Sequence, residues 1–157
     1  MRWRKNAGTQ KGGETAMAIV NIFCQSGIKT IAKSKGYTIY LLETDMSGEP
    51  YTKHWIEQIE ETGNGAGVET ALRALRRLKD PECELVIYTD SPYFEANIER
   101  AKEWQDQDWK DKKGNERKYK EKWEEILKIL STHPYKVSLG EHSYTHWLIS
   151  ELKHKQL

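Results

Sequence analysis

Cysteine is scarce: the 157 residues contain only Cys24 and Cys83. The two lie in separate apolar segments with no CxxC pattern, so there is no disulfide framework to read. Free thiols in a reducing, cytoplasmic compartment are the expectation. Long apolar runs are missing as well. None approaches the ~20 residues needed to span a bilayer, which excludes a membrane-spanning helix. The N-terminus is basic, yet no apolar segment follows it, so an ordinary secretory signal is not the expectation. Charge of one sign is not in excess either. Lys and Arg number 25 and Asp and Glu 24, a formal net charge of +1. Bulk charge therefore argues neither for nor against nucleic acid, and any such partner must be argued from local patches.

What is present is polar but foldable. Hydrophobic residues make up 37% and charged residues 31%, with a mean hydropathy of −0.84. Six Trp, eight Tyr and two Phe are too many aromatics for a disordered chain, and they must form part of the core. The length suits one domain.

Residues 1–16 read differently from the rest, with three Gly and no apolar periodicity. Lys11-Gly12-Gly13-Glu14 can be encoded by a purine-rich stretch of the ribosome-binding type, just ahead of Met17. The expectation is a flexible translated leader over 1–16 in a bacterial or phage gene, and a single domain over 17–157. The leader's basic residues are accordingly no argument for nucleic-acid binding.

From Met17 the pattern is regular. Residues 18–24, 37–43 and 51–60 read as three strands joined by short turn-like segments, an antiparallel meander. Gly63, Gly65 and Gly67 break the chain, after which Val68, Ala71, Leu72, Leu75 and Leu78 recur at helical spacing until Asp80-Pro81. Residues 85–88 form a short apolar run typical of a strand buried on both faces. Ser91-Pro92 supplies an N-cap and N1 proline for a helix over 92–103. A Trp-punctuated charged stretch leads into a helix with Trp123, Ile126, Leu127 and Leu130 on one side. Residues 135–139 read as a last strand, and a terminal helix carries Tyr144, Trp147, Leu148 and Leu152. Three meandering strands followed by alternation predict a mixed α/β sheet with helices on both faces. Right-handed crossovers give the order 3-2-1-4-5, with Cys24 and Cys83 at opposite sheet ends and unbonded.

The run Ile87-Tyr88-Thr89-Asp90-Ser91-Pro92-Tyr93, Glu69 upstream on a helix, and the stretch from Glu103-Trp104 through Trp109, Lys112-Lys113-Gly114 to Trp123 together resemble the type I ribonuclease H family. The resemblance covers residues 18–153 and implies an RNase H-like fold. It also implies two-metal phosphodiester hydrolysis, in which four carboxylates hold Mg²⁺ or Mn²⁺. Glu69 and Asp90 match the second and third acids of the family and are the expected metal ligands, converging on one cation. Gln25 stands where the first-strand Asp belongs. No Asp occupies the last-helix position, and Glu151, about one turn away, is the nearest acid. His142 resembles the family's catalytic-loop His. The paired Asn residues before the helix Glu are missing, with Gly65-Ala66-Gly67 in their place.

Each candidate also has an ordinary role. Glu69 suits a helix N-terminal dipole, Asp90 a capping position and Gln25 a loop amide. His142 and His146 are spaced i, i+4 as in zinc sites, but no Cys pair accompanies them. Residues 110–122 carry seven Lys and Arg against three Asp and Glu. Trp104, Trp109, Lys110, Lys112, Lys113, Arg117 and Lys118 form the expected nucleic-acid surface. The leading reading is a family member that engages RNA–DNA hybrid or a related duplex through an impaired catalytic centre holding Mg²⁺ or Mn²⁺ weakly. An active metal-dependent endoribonuclease H using Gln25, Glu69, Asp90 and Glu151 is the alternative. A structural or protein-interaction module retaining only the fold is a third.

Overall fold

A computed structural model describes residues 10–11, 14–15, 17–79 and 81–156. The expected leader lies mostly outside these; its described part is one short antiparallel pairing, Gln10–Lys11 with Glu14–Thr15. The domain itself runs through β1 (Ile19–Ser26), β2 (Ser34–Met46), β3 (Glu49–Glu61), α1 (Gly63–Leu75) and β4 (Glu84–Thr89). It continues through α2 (Pro92–Asp106), α3 (Lys120–Leu130), β5 (Tyr135–Leu139) and α4 (Thr145–Gln156).

The five strands form one mixed sheet in the order β3-β2-β1-β4-β5, as the topology argument expects. β1 pairs antiparallel with β2 and parallel with β4, so that Cys24 lies between Tyr40 and Thr89. Both cysteines are buried, and no disulfide joins them. Ser47 and Gly48 both take positive φ, 58° and 84°, and join Met46 to Glu49 in a two-residue hairpin turn of the kind that matches strand twist.

The period of two in β1 divides the core. Val20, Ile22 and Cys24 face the larger cluster, with Val68, Leu72 and Leu75 of α1, Phe94 of α2, and Trp123 and Ile126 of α3. Phe23 faces the opposite side and packs with Ile39, Leu41, Leu148 and Leu152, so α4 covers that face. Trp123 is fully buried and stacks on Phe94 at 5.5 Å.

The sequence pattern places a chain break at Gly63 to Gly67, whereas α1 begins at Gly63. Thr62 caps it, its Oγ1 accepting the Gly65 N–H at 3.0 Å. These glycines answer close approach rather than helix breaking. A Cβ at Gly63 would lie 3.0 Å from the Thr30 carbonyl oxygen, and one at Gly67 would collide with the side chain of Ser91. The early start places Gly67 within the helix and against Ser91, just past the end of β4.

Candidate active site

Strand register brings the site together. Because Cys24 pairs with Thr89, Gln25 and Asp90 come next to one another at the carboxyl ends of β1 and β4. That end of a parallel strand pair is where α/β proteins assemble sites. Asp90 is released from capping duty, because Ser91 is the N-cap of α2 and its Oγ accepts the Phe94 N–H at 3.1 Å. The Asp90 carboxylate instead accepts the Ser26 N–H at 3.2 Å and forms an ion pair with the Lys29 ammonium. The carboxylate is largely covered, with 16% of the side chain exposed, while Lys29 is 59% exposed. Both line a cavity of about 280 Å³ whose walls include Ser26, Thr62, Gly67, Ser91 and Lys118.

Glu69 is elsewhere, which corrects the expected convergence. Its carboxylate accepts the Arg73 Nε–H at 2.6 Å and lies 3.5 Å from the Lys122 ammonium. Lys122 also pairs with Glu61 at 3.1 Å, and Arg73 with Glu57 at 3.4 Å. Glu69 therefore belongs to an ionic network that ties α1 to β3 and α3. The reason is helical phase. The α1 residue against Ser91 is Gly67, and a residue two further along is rotated about 200° around the axis.

The remaining candidates divide between two places. Gln25 is half-buried on the sheet face that carries Phe23, and its main-chain carbonyl accepts the Thr38 hydroxyl at 3.1 Å. His142 lies 4.7 Å from Phe23 and 5.6 Å from Tyr88, ring to ring, and its Nδ1 accepts the Tyr144 N–H at 3.1 Å. Burial lowers its pKa, and the negative charge of Asp90 opposes that shift. Asp90, Gln25 and His142 thus share one end of the sheet. Glu151 stands one helical turn from Trp147, whose ring meets His54 of β3 edge-on at 4.9 Å. Among the described residues Glu151 belongs to no group of three or more His, Cys, Asp and Glu side chains that could hold a metal ion.

Two divalent ions do not fit these donors. Hard cations need several oxygen ligands, and Asp90 brings one carboxylate that already holds a lysine. Among the described residues no group of three or more His, Cys, Asp and Glu side chains could hold a metal ion. Lys29 is the site residue that sequence reasoning missed. It lies in a loop with no motif, and only the fold brings it to Asp90.

The basic stretch is more ordered than its composition suggests. Asp111 Oδ1 accepts the N–H groups of Lys113 and Asn115, both at 2.9 Å, and Gly114 takes φ 81°, which makes a tight exposed turn. Lys110, Lys112, Lys113 and Lys118 are exposed on it. Trp109 is not available as a surface platform, since it is 3% exposed and packs in the main core. Trp104 is half-buried beneath the Arg117 guanidinium, 4.8 Å above its ring.

A family model described as RNase H matches residues 17–141. A ribonuclease H of Caldicellulosiruptor saccharolyticus is 32% identical over 77 residues, which is 48% of this chain; the match spans about half, 52%, of that relative's length. Among solved structures, LC9-RNase H1, a type 1 RNase H with the type 2 active-site motif, superposes with a TM-score of 0.68 at 18% identity. That match covers 90% of this chain and 72% of the other. The PFV RNase H domain gives 0.54 at 14% identity over 87% of this chain and 90% of its own. At these identities the two structures speak for the fold alone.

Proposed function

The chain belongs to the RNase H family, with an incomplete set of active-site carboxylates, and on that premise we propose that it binds RNA–DNA hybrid or a related duplex and has an impaired catalytic centre. The observation that carries this reading is the state of Asp90. Its partner is the Lys29 ammonium, Gln25 beside it is neutral, and Glu69 is committed to Arg73 and Lys122. A divalent ion such as Mg²⁺ or Mn²⁺ meets one carboxylate, in competition with a tethered cation, and binds weakly. Charge repulsion between two such ions is then uncompensated.

Binding is supported separately by the exposed lysines of the 110–118 turn, which suit a phosphate backbone. The working setting is a reducing one, as two buried cysteines with no disulfide between them suggest. No helix among the described residues is long and apolar enough to cross a membrane.

Fluorescence anisotropy with labelled RNA–DNA hybrid, DNA duplex and single-stranded RNA tests the binding. The expected result is affinity for duplex that falls log-linearly with salt, as counterion release requires. No salt-dependent binding to any of the three would favour a module that keeps only the fold.

A further inference from the structure

We propose that the Lys29 ammonium does the work of the divalent cation at this site: the cavity at the ends of β1 and β4 takes a backbone phosphate of the bound nucleic acid directly on Lys29, with Asp90 as the group that positions that lysine. The inference rests on the nucleic-acid reading above and adds how the phosphate is held.

Three observations lead to it. The carboxylate best placed to hold a metal is bonded to Lys29 and to the Ser26 N–H, so it serves as a fixed anchor for an ammonium. An ammonium has three donors and only one is needed for Asp90, which leaves two for other oxygens. Lys29 is 59% exposed where Asp90 is 16% exposed, and both line the cavity, so the lysine is the member of the pair open to an incoming oxygen. Finally, the cavity carries a second cation, Lys118, on its wall, so its lining holds two lysines against one carboxylate. A carboxylate cluster built for Mg²⁺ would show the opposite balance. The local charge suits an anion, and a phosphodiester oxygen accepts well from ammonium donors.

The chemistry sets a sign that separates this arrangement from metal-mediated binding. If a metal bridged Asp90 to the phosphate, removing the Asp90 charge would weaken binding and chelation would abolish it. If Lys29 bridges them, Asp90→Asn keeps a side-chain oxygen that can still accept from the Lys29 ammonium and position it, while removing a negative charge near the phosphate, so attraction stays intact or increases. Removing Lys29 deletes a phosphate contact.

The experiment is anisotropy of the full chain with a labelled RNA–DNA hybrid, in EDTA and in MgCl₂, for the unmodified protein, Lys29→Gln and Asp90→Asn, across a salt series. The expected result is equal or tighter binding in EDTA and no weakening in Asp90→Asn. Lys29→Gln should bind roughly tenfold more weakly, with the salt slope reduced by about one. Thermal melts of both variants check that they fold, which matters most for Asp90, whose side chain is 16% exposed. Binding that requires Mg²⁺, or that Asp90→Asn weakens as much as Lys29→Gln, overturns the proposal. So does an unchanged slope in Lys29→Gln. Failure of the unmodified protein to bind any duplex overturns instead the nucleic-acid reading beneath it.

Discussion

At the scale of single residues, His142 joins the Asp90 end of the sheet to a measurable titration. Burial lowers its folded-state pKa from the usual value of 6.5, and Asp90 pulls it part of the way back. As pH falls through about 6.5 the unfolded chain takes up the proton first, and the folded chain lags. His142 therefore costs stability only on the acid side, with the loss growing until pH passes its folded pKa. Urea midpoints measured at neutral pH and near pH 5.5 should fall less in His142→Gln than in the unmodified chain. The ring titration followed by NMR should move lower still in Asp90→Asn, because the opposing charge is gone. An equal acid loss in His142→Gln would show that another group carries it. Asp90 was legible in the sequence because its strand and the following Ser91-Pro92 cap fix its place from both sides. Lys29 was not, because an ion pair made across 61 residues leaves no trace in local pattern.

At the scale of elements, the meander, the crossover strands and the helices followed from apolar periodicity and turn chemistry. The hairpin, the α2 cap and the order of the sheet all depend on local residues or on handedness, which the sequence exposes. The start of α1 did not follow. Gly63, Gly65 and Gly67 have low helix propensity, yet tertiary packing overrides it, because larger side chains would strike the 29–30 backbone and Ser91. Glu69 was expected beside Asp90 because the family resemblance matched it to the second acid, whereas Gly67 is the α1 residue against Ser91. The packing makes a prediction for the α1–α2 junction. Gly67→Ala should destabilise the protein by about 1–3 kcal/mol, since Cβ would overlap the Ser91 side chain. Ser91→Gly keeps a tolerated N-cap residue and removes the obstacle, so the double variant should recover most of the loss. Urea denaturation of the four proteins gives the coupling directly. Additive effects would mean that the two positions do not meet.

At the scale of the whole molecule, the sheet and its helices are those of an RNase H, while the charges at its functional end are not. The missing acids were legible at Gln25 and in the last helix, where a residue type simply differs. The loss of Glu69 from the site was not, because an acid is present in the sequence and only its rotation about α1 removes it. What remains is one carboxylate neutralised by a lysine, with basic residues around the same cavity and along the 110–118 turn. Such a molecule should hold nucleic acid without cutting it. The most direct test is cleavage of a labelled RNA–DNA hybrid by the unmodified chain, in Mg²⁺ and in Mn²⁺, beside Asp90→Asn prepared in the same way. The account predicts that the two proteins show the same background rate in either metal. Metal-dependent cleavage by the unmodified chain that Asp90→Asn abolishes would contradict it.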